Sequence, residues 1–256
     1  AGRAAADEWL SAGCPVPRYP EGRFGRATPG AVRRRFAQHG PDLVQRATPG
    51  PLAWAALGAA RTLGIPASSD FRTNFHQYSG YYHLGAFGSL ILQVLRRFHN
   101  LTAKTFVPTH TVEHELAVAG FHNLAVVGRG VDTERFRPER RSAALRAAWG
   151  AVEGAPVLIS VGRVAPEKNI ALALSAFEAL RLRQPEARMV VVGDGPLRRR
   201  LEAAHPAVRF IGVQRGDALA ACYASADLFV FPSLSETFSN VTLKALASGL
   251  PVVAYD

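Results

Sequence analysis

Residues 235–249 read SETFSNVTLKALASG, and short apolar segments flank them on both sides, DLFVFPS before and PVVAYD after. The stretch has the form of a loop that enters a helix, while the flanking segments have the form of strands. Glu236 lies in the loop, and Lys244 follows eight residues later in the opening turns of the helix. A lysine is unexpected there because the helix dipole favours anions near the N-terminus. How the lysine is interpreted depends on what the loop binds.

The same strand–helix alternation extends backwards through the second half of the chain. Its apolar strand segments are PVLISVGR, ARMVVVGDGP, VRFIGV and DLFVFPS, and its helical segments are KNIALALSAFEALRLRQP, LRRRLEAAHP and DALAACYASA. Strands that alternate with helices of this length predict a parallel sheet that helices cover on both faces. The pattern therefore indicates a Rossmann-like α/β domain.

The first half of the chain shows the same alternation from about residue 40. Its strand segments are PDLVQRA, IPASSDF, KTFVPT and LAVVGRG, and its helical segments are PLAWAALGAARTLG, LGAFGSLILQVLRRFHNLTA and THTVEHELAVAG. A charged, turn-rich connector, VDTERFRPERRSAALRAAWGAVEGAP, then precedes the second half. We predict two Rossmann-like domains, an N-terminal one over residues 1–135 and a C-terminal one over residues 136–256.

Composition fits two globular domains. The chain has 256 residues, of which 48% are hydrophobic, and no apolar run reaches the roughly 18 residues of a membrane helix. The N-terminus lacks the apolar core of a signal peptide and has no initiating Met, so we expect a fragment. Cys14 and Cys222 match no metal or redox spacing, which favours free thiols in a reducing cytoplasm.

The net charge of +10 raises the question of nucleic-acid binding. Only three of the 30 basic residues are lysines, and the arginines are spread along the chain. The tight basic runs Arg33–Arg35, Arg137–Arg141 and Arg198–Arg200 carry no interleaved aromatic residues. A surface on which bases stack would need such aromatics. We therefore expect a solvated, arginine-rich surface and no nucleic-acid partner, while weak attraction to anionic lipid stays open.

Three polar loops follow strands of the second domain: GRVAPEKN, GDGPLRRR and SLSETFSN. Ligands of open parallel sheets bind at the carboxyl ends of the strands. Arg163 and Lys168 in the first loop suit a diphosphate, although isolated loop cations are often only solvated. Gly193 and Gly195 in the second loop form a tight turn that serves either as a ligand wall or as a purely structural turn.

The third loop supplies the anion site that this interpretation requires. The helix starts with four backbone N–H groups that can face an anion, those of Phe238, Ser239, Asn240 and Val241. The carboxylate of Glu236, just before them, would repel a phosphate, but it can accept hydrogen bonds from sugar hydroxyls. Cations, amides and a carboxylate at one sheet edge together predict a nucleotide-sugar site.

These loops carry a resemblance to a known family. VGRVAPEKN, VVVGDGPLRRRLE and FPSLSETFSNVTLKALASGLPVVAYD are similar to retaining glycosyltransferases of family 4, which have the two-domain GT-B fold. SSDFRTNFHQYSGYY, FVPT and GRGVDTERFRP resemble the proteobacterial branch related to mannosyltransferases such as the phosphatidylinositol mannosyltransferases. The family begins with a Gly-rich loop that is absent here and continues past residue 256. The resemblance thus implies that both domains are incomplete.

The resemblance also implies an activity and its substrates. We expect a hexose, mannose ahead of others, to move from a nucleoside-diphosphate sugar to a lipid or saccharide acceptor. GDP-mannose is favoured over a UDP-sugar as the donor, and neither a metal nor another cofactor is expected. We expect a cytoplasmic protein. One apolar segment ends in cations, LGAFGSLILQVLRRFHNLTAK. It either packs on its own domain or contacts the inner membrane face peripherally.

Within the family, two glutamates separated by seven residues hold the transferred sugar and the ribose. This sequence has Glu236 at the first place, Lys244 at the second, and Ser239 where the family usually has Gly. Lysine only donates hydrogen bonds, and its charge opposes the helix dipole at a cost of roughly 0.3–1 kcal/mol. The alternative to an active transferase is therefore an impaired relative that binds a sugar nucleotide or a partner.

A histidine of the N-terminal domain faces the reacting sugar in the family. Arg72 occupies the position where many relatives have that histidine, and His76 lies four residues further on. We favour His76, because an arginine could act there only as a donor to a phosphate or a hydroxyl. Arg72 remains the alternative.

Overall fold

The computed structural model describes residues 9, 11–16, 19–71, 88–234 and 238–255, with backbone alone for residues 15, 16 and 19–22. The described residues form two compact units, residues 9–128 and residues 129–255. The division falls between Gly128 and Arg129, and the sequence-based boundary at 135/136 stays a prediction. Each unit is an α/β layer structure around its own parallel sheet, as the alternation of strands and helices predicts.

The first unit begins with an antiparallel hairpin and continues as a parallel sheet. The hairpin pairs β1 (Gly13–Val16) with β2 (Tyr19–Gly25). The four-stranded sheet has the order β3-β4-β5-β6, formed by Val44–Arg46, Ala67–Asp70, Lys104–Val107 and Leu124–Val126. Its helices are α1 (Pro29–His39), α2 (Pro51–Thr62), α3 (Gly88–Asn100) and α4 (His110–Val118).

Chain order and sheet order coincide in this unit, so right-handed crossovers place α2, α3 and α4 on the same face of the sheet. Phe98 of α3 is buried and meets Trp54 of α2 edge-to-face with 5.1 Å between ring centroids. Leu95 of α3 is buried as well, whereas Leu90 and Val94 on the same helix are 54% and 46% exposed. One face of α3 thus packs on its own domain. None of the helices in the described ranges is long and apolar enough to cross a bilayer.

A buried polar cluster lies between α3 and the sheet. The hydroxyl of Ser69 lies 2.9 Å from Nδ1 of His99, 3.2 Å from the Thr102 hydroxyl and 3.1 Å from the Thr105 hydroxyl. All four residues are buried. Burial lowers the pKa of His99 to about 4; the positive charge of Arg46 acts in the same direction, and Asp70 opposes it. His99 is therefore a neutral core residue at pH 7.

This shift predicts how the stability of the first unit depends on pH. The folded-state pKa is lowered from 6.5 to about 4, so the unfolded chain binds more protons between these values and the free energy of unfolding falls as pH falls. Between pH 7 and pH 5 we expect a loss of about 2 kcal/mol. Urea unfolding at a series of pH values measures it, and His99→Gln should remove most of the slope. An equal slope in the variant would assign the effect to other groups.

Arg46 at the end of β3 is a feature that the sequence did not lead us to expect. Its side chain is buried, its guanidinium carbon lies 5.2 Å from the centre of the Phe98 ring, and burial lowers its pKa to about 10. Among the residues that the structure describes, no hydrogen-bond partner reaches any of its three side-chain nitrogens. An unpaired buried charge costs free energy, and contact with the ring compensates for part of that cost.

The second unit contains a five-stranded parallel sheet with the order β9-β8-β7-β10-β11. In chain order the strands β7 to β11 are Val157–Val161, Arg188–Val192, Val208–Gly212, Leu228–Phe231 and Val252–Ala254. The helices are α5 (Ala143–Ala148), α6 (Ile170–Arg181), α7 (Arg198–Ala204), α8 (Gly216–Ala224) and α9 (Asn240–Ala247). This strand order matches the order 3-2-1-4-5 of the first five strands of a Rossmann fold, and the direction of progression reverses between β7 and β10.

Alternate residues of the central strands supply two separate cores. Leu158, Met189 and Val191 pack with the α6 residues Leu174 and Phe177 on one face of the sheet. On the other face, strand residues with the opposite alternation pack with α8 and α9; they are Val157, Ile159, Val190 and Phe229, against Tyr223 and Ala245. Helices on both faces explain why these strands are apolar at nearly every position.

Asp227 is one of the residues that hold the connector before β7 to the rest of the second unit. Asp227 accepts hydrogen bonds from Arg141 at 2.6 Å, from Arg146 at 2.9 Å and from the backbone N–H of Val157 at 2.8 Å. Burial opposes the charged form, but the hydrogen bonds from Arg146, Arg141 and Val157 outweigh it and lower the pKa of Asp227.

Elsewhere, Cys14 is exposed and Cys222 buried, and both are free thiols as predicted.

Candidate functional site

The candidate site lies at the carboxyl edge of the second sheet, where the strand order reverses. β7 and β10 are neighbours there, with Leu228 paired to Leu158. The loop after β7 starts at Gly162 and the loop after β10 starts at Pro232. Because the helices that leave these two strands lie on opposite faces, the loops diverge and leave a crevice, which is where ligands of open α/β sheets bind.

Both cations predicted from the sequence lie in the loop after β7. A 3-10 turn over Pro166–Lys168 brings Glu167 back to Arg163, and Nη2 of Arg163 donates to Oε1 of Glu167. Asn169 then takes up a left-handed conformation with φ 47° and starts α6. Nζ of Lys168 donates to the hydroxyl of Ser233 in the loop after β10 at 3.3 Å. Arg163 and Lys168 therefore lie in one loop at the carboxyl edge of the sheet, and their role in diphosphate binding stays a prediction.

Gly193 and Gly195 have a structural reason to be glycines. The loop after β8 crosses the loop after β7 so closely that a Cβ on Gly193 would overlap the carbonyl oxygen of Gly162, and one on Gly195 would overlap that of Val164. Gly193 also has φ 140°, which side chains rarely adopt. The backbone N–H of Val164 donates to the carbonyl of Asp194 at 2.9 Å. These contacts favour the structural alternative, and a ligand contact of either glycine stays a prediction.

The start of α9 differs in part from the expected anion site. Ser239 is the N-cap, and its hydroxyl accepts a hydrogen bond from the Thr242 N–H at 3.3 Å. The N–H of Asn240 donates to the carbonyl of Phe238 at 3.1 Å. Of the four amides from Phe238 to Val241, that of Asn240 is thus already paired within the turn, and the role of this turn in anion binding stays a prediction. Ser239 is here a capping residue, a role that Gly fills less well.

Lys244 is half-buried and lies in the last turn of the eight-residue helix α9. The expectation that its charge opposes the helix dipole is therefore wrong, because a cation in the last turn is favourable. Its ammonium nitrogen lies 5.1 Å from the centre of the Phe136 ring, in the range of a cation–π contact. Phe136 is buried and meets Tyr223 edge-to-face. The lysine therefore contacts the aromatic core of its own unit, which no pattern in the sequence indicated.

Three predicted site residues lie outside the described residues: Arg72, His76 and Glu236. Their roles stay predictions. In the described ranges no three His, Cys, Asp or Glu residues are grouped as metal ligands would be, and the expectation of a metal-independent site also stays a prediction.

The sequence reasoning missed Glu167 and Phe136. Glu167 could have been found, because it lies four residues after Arg163 and next to Lys168, a spacing at which opposite charges meet on one turn. Phe136 carries no such signal, since its contact with Lys244 depends on how a distant connector packs against α9.

Comparisons with known proteins match both units. A family model described as "Glycosyltransferase Family 4" matches residues 4–135, and one described as "Glycosyl transferases group 1" matches residues 155–256. A GDP-mannose-dependent alpha-mannosyltransferase of Mycobacterium tuberculosis is 38% identical over 84% of this chain and 56% of its own length. Sulfoquinovosyl transferase SQD2 of Arabidopsis thaliana is 34% identical over 94% of this chain and 48% of its own length.

Solved structures with the same fold include a sucrose-phosphate synthase from Thermosynechococcus elongatus. Its TM-score is 0.71 at 21% identity, over 88% of this chain and 59% of the other. Anabaena HepE, solved in complex with UDP and glucose, gives 0.68 at 19% identity over 88% and 61% of the two chains. At this identity the likeness concerns the fold alone, which is the predicted pair of Rossmann-like domains. This chain spans about half the length of the curated relatives it matches.

Proposed function

This chain belongs to family 4 of the glycosyltransferases, and from that premise we propose that it binds a nucleoside-diphosphate hexose in the second unit and takes part in retaining transfer of the hexose to a lipid or saccharide acceptor. The observation that carries the proposal is that Arg163 and Lys168 both lie in the loop after β7, beside the loop after β10, to which Lys168 is bonded through Ser233. The names of the mannosyltransferase relatives support GDP-mannose as the donor ahead of UDP-sugars.

The two cations fit the charge that develops during transfer. When the bond between the sugar and the diphosphate breaks, negative charge grows on the departing oxygens. A guanidinium and an ammonium fixed at that place stabilise this charge without rearrangement, and the departing diphosphate accepts the proton of the acceptor hydroxyl. Glu236 is proposed to hold the sugar hydroxyls, and His76, with Arg72 as the alternative, to face the sugar from the first unit. We propose that this chemistry needs neither a metal nor another cofactor.

A second candidate function has one observation in its favour. Lys244 occupies the place of the second family glutamate, and its charge is directed at the Phe136 ring. A relative with that arrangement would bind the sugar nucleotide or a partner with little or no turnover. Binding of the donor is common to both candidates, whereas transfer distinguishes them.

We also propose a cytoplasmic location with peripheral contact to a membrane. The apolar residues Leu90 and Val94 are exposed one turn apart on α3, and the exposed Arg97 follows them. Apolar side chains beside a cation suit the surface of an anionic bilayer. Cosedimentation with vesicles that contain anionic lipid, compared with neutral vesicles, measures this contact.

Isothermal titration of the chain with GDP-mannose, UDP-glucose, GDP and UDP tests the proposed donor site. We expect both diphosphates to bind, and we expect GDP-mannose to bind at least about tenfold more tightly than UDP-glucose, about 1.4 kcal/mol. Binding should persist in a metal chelator. A chain that binds none of the four nucleotides would contradict the proposal, and tighter UDP-glucose binding would overturn the choice of donor. An assay for the transfer of mannose from GDP-mannose to acceptor lipids then distinguishes a transferase from a protein that only binds the donor.

A further inference from the structure

We propose that Glu167 is the positioning residue that aims Arg163 at the donor diphosphate and couples that arginine to Lys168 across the crevice. The proposal rests on the proposed function, since it names how the cations of that same site are held. No role for this glutamate follows from the resemblance or from the relatives.

The first argument is the burial of the carboxylate. The side chain of Glu167 is 0% exposed, whereas that of Arg163 is 31% exposed. Its Oε1 is paired with Nη2 of Arg163, and in the described part of the chain Oε2 has no hydrogen-bond partner. A carboxylate this deep is stable only while a cation stays beside it. The arginine is therefore held by a fully buried carboxylate, while about a third of its own side chain stays accessible.

The second argument concerns the backbone of the same residue. The carbonyl of Glu167 accepts hydrogen bonds from the N–H of Leu234 at 3.0 Å and from the hydroxyl of Ser233 at 3.5 Å. Nζ of Lys168 donates to that Ser233 hydroxyl at 3.3 Å. The backbone carbonyl of Glu167 thus links the loop after β7 to the loop after β10. Arg163 pairs with the side chain of Glu167, and Lys168 donates to the Ser233 hydroxyl that contacts its carbonyl. The backbone of Glu167 therefore takes part in the link to Lys168, whereas its side chain acts on Arg163.

The third argument is that the charge of Glu167 is needed, and not only its shape. Glutamine could still accept a hydrogen bond from the charged guanidinium of Arg163, but the attraction between the opposite charges of the pair would be lost. Without the carboxylate, the guanidinium would lose its buried anchor, and part of the cost of ordering it would fall on each incoming ligand. Ordering a flexible side chain on binding costs about 0.5–1.5 kcal/mol. The loss should appear in the affinity for the diphosphate and not in the affinity for the base or the ribose.

A double-mutant cycle tests the proposal. The chain, Glu167→Gln, Arg163→Ala and the double variant are titrated with GDP, UDP, inorganic pyrophosphate and the bare nucleosides. Glu167→Gln is expected to weaken diphosphate and pyrophosphate binding about fivefold to tenfold, the equivalent of about 1–1.4 kcal/mol, with nucleoside binding unchanged. In the Arg163→Ala background the same substitution should change diphosphate binding less than about twofold, because its effect runs through Arg163.

Several results would overturn the proposal. Diphosphate binding equal to that of the parent chain, an equal loss of nucleoside binding, or the same loss in both backgrounds would each show that Glu167 does not act through Arg163. Circular dichroism checks folding, and Glu167→Asp, which keeps the charge on a shorter side chain, replaces Glu167→Gln where that variant does not fold. If neither folds, the role is structural and the proposal is wrong. Absence of nucleotide binding by the parent, with pyrophosphate still bound, would reject the proposed function and leave this inference standing.

Discussion

Replacing Arg163 and Lys168 together by alanine is expected to weaken the binding of GDP and UDP at least about a hundredfold. Each cation is proposed to make one or more charge-assisted hydrogen bonds to the diphosphate, and such bonds contribute about 1.5–3 kcal/mol each. Two of them account for at least about 3 kcal/mol, which corresponds to that factor in the dissociation constant. Guanosine and uridine lack the diphosphate, so their binding should be nearly unchanged. Isothermal titration with the four ligands measures both quantities.

A matched control separates this effect from a change in net charge. Arg181 and Arg183 are exposed near the C-terminal end of α6, which runs from the site towards the opposite edge of the sheet. Arg181→Ala/Arg183→Ala removes the same two charges and should leave diphosphate binding within about twofold of the parent. Because Arg163→Ala leaves the buried Glu167 without its cation, thermal melting must accompany the titration. Equal losses for diphosphates and nucleosides in a folded variant would contradict the diphosphate role of the two cations.

The fold was predictable because its determinants are local. The strands β7, β8 and β10 are apolar at nearly every position, and the helices between them repeat with a period of 3.6 residues. Those two periodicities specify buried parallel strands with helices on both faces. The burial of Arg46 was not predictable, since it depends on Phe98 of α3, which lies far away in the sequence. A side chain next to Val44 and Gln45 in a short strand gives no sign of that contact.

The site was predictable to the extent that single loops define it. Arg163 and Lys168 follow one strand directly, and the rule that ligands bind at strand carboxyl ends placed them in the site. Ser233 lies in the loop after another strand. Its contacts with Glu167 and Lys168 could be known only from the tertiary structure. The roles of Arg72, His76 and Glu236 stay predictions.

The structure explains how a lysine is tolerated at position 244, because it lies in the last turn of α9 and contacts the Phe136 ring. The helix dipole favours a cation in that turn by roughly 0.3–1 kcal/mol, and a cation–π contact contributes about 0.5–2 kcal/mol depending on its exposure. Both terms are favourable, so the lysine does not destabilise the fold. Its cost therefore falls on ligand binding, where a donor has replaced the carboxylate that accepts from two ribose hydroxyls in the family.

Lys244→Glu is accordingly expected to tighten binding of GDP-mannose and GDP at least about tenfold, about 1.4 kcal/mol. Two hydrogen bonds from ribose hydroxyls to a carboxylate contribute roughly 1.5–3 kcal/mol each, and the lysine already recovers part of that sum by donating to the ligand. Without ligand, the variant loses the contact with Phe136 and carries an anion in the last turn of α9. Its melting temperature should therefore fall while its affinity rises. Titration with GDP and with its 2′-deoxyribose and 3′-deoxyribose analogues measures whether the gain depends on the ribose hydroxyls.

Two further variants identify the source of that gain. Lys244→Met removes the cation without supplying an acceptor, so it should not reproduce the tightening. Ser239→Gly restores the usual family residue and removes the hydroxyl that caps Thr242, at a cost of a few tenths of a kcal/mol in helix stability. An affinity in Lys244→Glu that is unchanged or lower would show that the lysine is itself a ligand-binding residue. Equal tightening in Lys244→Met would show instead that removal of the cation, and not the new carboxylate, improves the site.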